Sequence, residues 1–279
     1  MNSGLQFAVF TSPPVLERET PGVPFGHPAT SSPMNTTLIY GTREAILVDP
    51  PWHLAAVEDA IKWVQSFTSR LNLIYITHGH GDHWLGASAV QSQFPHAMVS
   101  ATRQTRDYMY RYSRLRGELW DKRFPGQVAS GSIIVRPSTS DLLLEGASVQ
   151  VLELGHTDTD DTTALWIPSI RLIVAGDSVY NRCHLALNEV RDGGAAQWLA
   201  ALDNLDRLQP EYVVAGHAAP DVDHSPDAIE ETRRYITDYT RALELGLPAK
   251  QLFAYMLGRY PEHVNPKALW RSITATAAP

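Results

Sequence analysis

A chain of 279 residues with 44% hydrophobic content can bury a full core, and its length suits a single α/β domain, which is the expectation over residues 1–279. A formal net charge of -7 and a sequence pI near 5.9 argue against a surface built to embrace a phosphate backbone, so a small-molecule partner is expected and a nucleic acid is not. The lone cysteine, Cys183, excludes an intrachain disulfide and a Cys-rich structural zinc site, and it fits a reducing compartment.

In chain order, residues 1–9 place no basic residue ahead of their short apolar run, so they do not read as a secretory signal. No stretch approaches the roughly 18 to 20 apolar residues that cross a bilayer, and the expectation is a cytoplasmic protein with no membrane partner. Residues 11–33 are dense in Pro, Ser, Thr and Gly, which predicts an irregular surface loop. Two β-rich runs at 36–40 and 45–49, split by Gly41-Thr42-Arg43-Glu44, have the pattern of a hairpin. Val57, Ile61 and Val64 stand at helical spacing within 54–67, and the apolar run Leu73-Ile74-Tyr75-Ile76 is a buried strand leading into His78.

Helices are predicted at 84–94 and from 102 to about 124, and strands at 132–135, 148–154, 164–167 and 172–175. A helix at 195–208, a strand at 212–215 and a helix at 226–245 follow, and residues 248–279 read as a peripheral helical extension. Strand runs flanked by helices, in two blocks that each pass from hairpin to helix, predict a layered α/β fold.

The chemistry concentrates in Thr77-His78-Gly79-His80-Gly81-Asp82-His83, where three histidines and a carboxylate occupy six positions after an apolar strand. Residues two apart in an extended loop point the same way, so His78 and His80 can bind one ion while Asp82 and His83 serve another. Imidazole and carboxylate donors without thiolate suit zinc, and iron or manganese would accept the same set. Three later apolar strands each end in a glycine followed by a possible ligand: Gly155-His156, Gly176-Asp177 and Gly216-His217. Absence of a side chain at the glycine lets the backbone come close to a compact site.

Together these residues resemble the metallo-β-lactamase superfamily, whose signature is an HxHxDH loop followed by an isolated His, an Asp and a final His. The resemblance runs from the hairpin near Thr36 to His217. It implies a four-layer αββα sandwich with the site at one edge of two facing sheets. It implies two zinc ions per chain, the first on His78, His80 and His156, the second on Asp82, His83 and His217, with Asp177 bridging both. Asp49 resembles an acid that orients the ligand loop, or it is a simple turn residue before Pro50-Pro51. Some true β-lactamases place a cysteine where Asp177 stands, and Cys183, six residues on, reads as a small buried residue. Flavodiiron oxygen reductases usually carry Glu at the position of His80, and nuclease branches bring basic surfaces that this acidic chain lacks. The stretches around Thr157–Thr163 and Gly176–Asn181 resemble hydrolases of small cyclic amides, carbamates and lactones, benzoxazolinone-opening lactamases among them.

The expected reaction is opening of a small-molecule amide, lactam, carbamate, lactone or ester bond by hydroxide drawn from a water shared between two cations. Asp82 would also orient the nucleophile and carry its proton to the leaving group. The alternatives are a glyoxalase-II-like thioesterase, a mono-iron persulfide dioxygenase and, in a different class, a non-catalytic metal-binding protein. Tyr180 and His184 either line the site's mouth or pack, and Trp84 beside the ligand loop is a further pocket candidate. Tyr108, Tyr110, Tyr112, Trp120 and Phe124, interleaved with Arg106, Arg111, Arg114 and Arg116, form either an aromatic lid or a helix with one packed and one solvated face. Substrate identity and oligomeric state are not readable from these residues.

Overall fold

Successive strand residues divide between two cores in the computed structural model, which describes residues 4–18, 22–138 and 141–276. The strands β1 (Gln6–Ser12), β2 (Met34–Tyr40), β3 (Ala45–Val48), β4 (Leu71–Tyr75), β5 (Met98–Ala101) and β6 (Val135–Pro137) pair in that order as a six-stranded sheet. A second sheet of five strands comprises β7 (Leu142–Leu144), β8 (Ala147–Gly155), β9 (Thr162–Ile167), β10 (Leu172–Asn181) and β11 (Tyr212–Ala218), in the order β11-β10-β9-β8-β7.

On β3, Ile46 and Val48 point at the second sheet and join a core with Leu165, Ile167, Val174 and Val214. Ala45 and Leu47, one residue out of phase, pack instead with Val57, Val64, Ala87 and Val90 of α1 (Leu54–Phe67) and α2 (Ala87–Gln93). The same alternation splits β10 and β11, with Leu172, Val174 and Val214 inward and Ile173, Ala175, Val213 and Ala215 outward. The outward set lies under α4 (Gly194–Asp206), α5 (Asp227–Glu244), α6 (Ala249–Arg259) and α7 (Pro266–Thr276), while α3 (Arg103–Ser113) belongs to the first sheet's side. A strand apolar at every position requires cover on both faces, and four layers in the order helix, sheet, sheet, helix supply it. The expected αββα sandwich is the observed fold. Among the described residues, no helix is long and apolar enough to cross a membrane.

Several expectations need correction. Strand β1 occupies the start of the supposed irregular stretch 11–33, pairing antiparallel with β2 from Gln6↔Tyr40 to Ser12↔Met34. The remainder of that stretch is not simply surface: Leu16 bridges Thr30, and Glu17 and Val23 are buried. Residues 19–21 lie outside the described residues. The helix expected from 102 to about 124 ends at Ser113 and gives way to a wider turn at Gly117–Asp121, closed by Lys122 N–H donating to Gly117 O at 3.1 Å. The C-terminal helices are not peripheral, because Phe253, Met256, Leu269 and Ile273 are fully buried in the core beneath the second sheet. Residues 277–279 of that predicted extension lie outside the described residues.

A buried ion cluster ties three distant segments together. Glu17 accepts from Arg123 Nη2 at 2.5 Å and Nε at 3.3 Å, and it also pairs with Lys267 at the start of α7. Burial alone would raise the Glu17 carboxyl, but the two cations outweigh it and hold the group at about 2 against an ordinary 4.5. The folded state therefore binds fewer protons than the unfolded one in that window, so the contribution is whole above about pH 4.5 and is lost as pH falls through about 2. We expect Glu17→Gln to cost roughly 3 kcal/mol at neutral pH, since it leaves the buried Lys267 and the half-buried Arg123 without their carboxylate. Thermal melts between pH 2 and 7 check this, because the difference between wild type and variant should shrink towards the acid end.

Candidate metal centre

The site forms where β3, β4, β10 and β11 run out at one edge of the sandwich. Just beyond β3, Asp49 adopts a left-handed backbone with φ of 52° and is 2% exposed. Its Oδ1 accepts Thr77 N–H at 2.8 Å, and its Oδ2 accepts the Thr77 hydroxyl at 2.6 Å and His83 Nδ1–H at 2.9 Å. Asp49 is thus both the turn residue and the acid behind the ligand loop, two roles the sequence left as alternatives.

These contacts decide which nitrogen each imidazole presents. His83 commits Nδ1 to Asp49, so Nε2 is free to face Asp177 Oδ1 at 3.2 Å. His217 commits Nδ1 to the carbonyl of Pro33 at 2.7 Å and turns Nε2 to Asp177 Oδ2 at 3.2 Å and Asp82 Oδ2 at 3.5 Å. His78 places Nδ1 at 3.1 Å from the Thr77 hydroxyl, whose proton is already given to Asp49. Its Nε2 then lies 3.7 Å from Asp158 Oδ2 and 4.0 Å from Asp177 Oδ2.

Asp177 reaches the centre through a break in strand pairing. The parallel register of β10 with β11 shifts on either side of Gly176, and the bulge swings the carboxylate out of the ladder. Gly176 has φ of +53° and would place a Cβ 2.6 Å from Thr77 Oγ1, while a Cβ on Gly216 would sit 2.2 Å from Asp177 Oδ1. Both glycines permit the close approach that the sequence pattern implied. The third glycine of the pattern differs: a Cβ on Gly155 meets nothing within 4 Å.

His156 stands apart from these donor atoms in the structure: its Nδ1 faces Asp160 at 2.7 Å and its Nε2 faces the Glu189 carbonyl at 3.0 Å. Asp158, two residues later and 3% exposed, lies among them instead, with Oδ2 at 2.8 Å from His80 Nδ1. The donor atoms fall into the groups His78, His80, Asp158, Asp177 and Asp82, His83, His217, each within 4.8 Å internally, with a third combination of Asp49, His78 and His83. The sequence reading missed Asp158, although His-x-Asp spacing in an extended turn was a usable signal.

Two independent features fit divalent ions. Nε2 of His78 and His83, Oδ2 of Asp158 and Oδ1 of Asp177 are buried without a hydrogen bond, and polar atoms are not ordinarily left so. Burial would raise the Asp177 carboxyl, yet His217 and His83 hold it well below the usual carboxylate range. Burial would likewise lower His83 and His217, yet Asp177, with Asp49 and Asp82, lifts both well above the ordinary histidine value. Carboxylates that draw protons onto buried imidazoles mark a centre that calls for positive charge. The donors, imidazole nitrogen and carboxylate oxygen without sulfur, are those of zinc, iron or manganese sites.

Beside this centre opens a cavity of about 450 Å³ lined by His80, Asp82, Asp177, Tyr180 and His217. Of the three substrate-contact candidates only Tyr180 lines it, and its hydroxyl donates to Asp177 Oδ2 at 2.8 Å. Trp84 packs in the first sheet's outer core and donates to Gly79 O at 2.9 Å. His184 is buried against Tyr235, whose hydroxyl lies 2.7 Å from its Nδ1, and burial with His263 and His27 nearby pushes it down to about 3. The aromatic segment contributes instead, through Tyr108, Tyr112, Trp120 and Phe124 on the cavity wall, while Arg106 and Arg116 pair outside with Asp107 and Asp121.

Comparison with known proteins agrees with this architecture. The sequence model of a family described as "Metallo-beta-lactamase superfamily" matches residues 30–217. A metallo-beta-lactamase type 2 of Bacteroides fragilis is 21% identical over 216 residues, covering 74% of this chain and 76% of the relative. A solved metallo-beta-lactamase family protein of Thermus thermophilus superposes with a TM-score of 0.63 at 18% identity, over 95% of this chain and 91% of its own. The metallo-beta-lactamase from Pontibacter korlensis gives a TM-score of 0.58 at 18% identity, over 84% and 100%. At such identities the structural likeness is one of fold.

The geometry leads to a direct expectation for metal content. Asp158→Asn should lower the metal bound per chain measured by elemental analysis after dialysis, whereas His156→Asn should leave it at the wild-type level. The reverse pattern would return His156 to the centre.

Proposed function

Because the chain belongs to the metallo-beta-lactamase superfamily, we propose that it is a metal-dependent hydrolase that opens an amide, lactam, carbamate, lactone or ester bond in a small molecule. The observation that carries this reading is the convergence of orphaned buried donor atoms on Asp177 beside an open cavity. His78, His80 and Asp158 would hold one ion, Asp82, His83 and His217 a second, and Asp177 both. Two ions there, zinc first and iron or manganese also acceptable, would polarise a carbonyl and acidify water enough to react at neutral pH.

The chain's own residues do the rest. Asp82 is the one carboxylate of the set with substantial exposure, its side chain 23% accessible, and it lines the cavity beside His217. Burial would raise it, but His217 and His83 keep it well below the usual range, so it is ionised. On the cavity side it orients the attacking water and relays that water's proton to the leaving nitrogen or oxygen. Tyr180 acts as a positioning residue: burial and Asp177 push its phenol well above the ordinary value, so it stays a donor to Asp177. Thr232 in turn fixes Tyr180, accepting its N–H at 3.0 Å. The Asp49 carboxylate locks the loop that carries His78 and His83.

A panel of cyclic amides, carbamates, lactones and acyl-glutathione, run on protein of measured metal content, tests the proposal. Hydrolysis should vanish on chelation and return with zinc, and Asp82→Asn should lower kcat by roughly 10²-fold or more beyond its loss of metal. Full activity in metal-free protein would overturn the reading, and turnover of acyl-glutathione alone would move it to a thioesterase.

A further inference from the structure

The cavity has two chemically opposite ends. At one end stand Asp82, Asp177, His80 and His217; at the other stand Arg123, Lys267 and Arg271 with, among the described residues, the carboxylate of Glu17. Glu17 is shared between Lys267 and Arg123, while Arg271 of α7 has no ion-pair partner among the described residues. Lys267 is 8% exposed and committed to Glu17, whereas Arg271 is exposed to solvent. Burial, with Arg123 beside it, pulls the Lys267 ammonium down to about 8 in spite of Glu17.

An aromatic track joins the ends. The His80 ring lies 6.1 Å from Tyr112, Trp120 Nε1 donates to the Tyr112 hydroxyl at 3.3 Å, and Trp120 stacks on Phe124 at 5.8 Å. The Arg123 guanidinium closes the track, 5.4 Å from the Phe124 ring and 6.0 Å from the Trp120 ring. Burial and the Asp82 charge push the Tyr112 phenol up to about 12 while Arg271 opposes them. A volume of about 450 Å³ is that of a small-molecule site.

We infer that the cavity takes a planar aromatic substrate bearing a carboxylate, its ring along Tyr112 and the accessible edge of Trp120, which Phe124 backs, and its carboxylate on Arg271 and Lys267. The scissile bond then lies towards Asp82 and Asp177. A guanidinium can hold a carboxylate through two parallel hydrogen bonds, and the aromatic faces supply the apolar contact that fixes the ring. The substrate role of this ligand rests on the hydrolase reading, so the test is one of binding alone.

Calorimetric titration of the metal-loaded protein with 2-naphthoate and with 2-naphthamide separates the charge from the ring. Naphthoate should bind about tenfold tighter, as one charge-assisted contact allows, and added salt should narrow the difference. Arg271→Ala, at an exposed position, should abolish the preference, and Arg271→Lys should restore part of it. Equal binding of the two probes would overturn the inference. So would a preference that survives in both Arg271→Ala and Lys267→Gln, since the carboxylate would then sit on the metals. Absence of hydrolysis across the substrate panel, with the preference intact, would strike the hydrolase reading and leave this subsite standing.

Discussion

A buried carboxylate at a left-handed backbone position is costly twice over, and Asp49 is such a group. It is retained because two donors on Thr77 and one on His83 saturate its oxygens and, in return, fix the turn that follows β4. That turn places His78 and His83, and Thr77 links across the sheets by accepting, at its carbonyl, the Thr163 N–H at 3.0 Å and hydroxyl at 2.7 Å. The ligand loop is therefore welded to both sheets before any ion is considered. Preorganisation of this kind lets a compact centre tolerate mutually repelling donors.

The second half of the centre depends on the opposite sheet. Asp177 and His217 are carried by neighbouring parallel strands, and a bulge rather than a long loop brings Asp177 across. His217 is backed by the carbonyl of Pro33, so the proline-rich stretch supports the site as well as closing over it. Asn35 Nδ2 donating to Ala215 O at 3.0 Å fastens β2 to β11 just behind this point. The C-terminal helices then complete the cavity with Lys267 and Arg271.

Much of this was legible in the residues because it depended on local periodicity. The helix at 54–67 and the hairpin over 36–49 stand where apolar spacing put them, and the apolar strand into His78 does too. Other strands were less visible: β5 and β7 carry only four and three residues, and the pairing of β1 is decided by β2, more than twenty residues on. Trp84 and His184 lie near the site in sequence, yet Trp84 commits its ring nitrogen to the Gly79 carbonyl behind the ligand loop and His184 packs against Tyr235 in the core. His156 shows the limit of the strand-glycine-ligand pattern. The pattern marks where a strand ends, and after Gly155, with φ of +74°, the chain brings Asp158 within reach of His78, His80 and Asp177 while His156 faces Asp160 and Glu189.

The central claim is that donors from both sheets gather around two ions sharing Asp177. Anomalous diffraction from crystals of the metal-loaded protein, collected on either side of the metal's absorption edge, addresses it most directly. The account expects two peaks, one against His78, His80 and Asp158 and one against Asp82, His83 and His217, with Asp177 touching both. A single peak, or a second peak on His156 with Asp158 turned away, would contradict it.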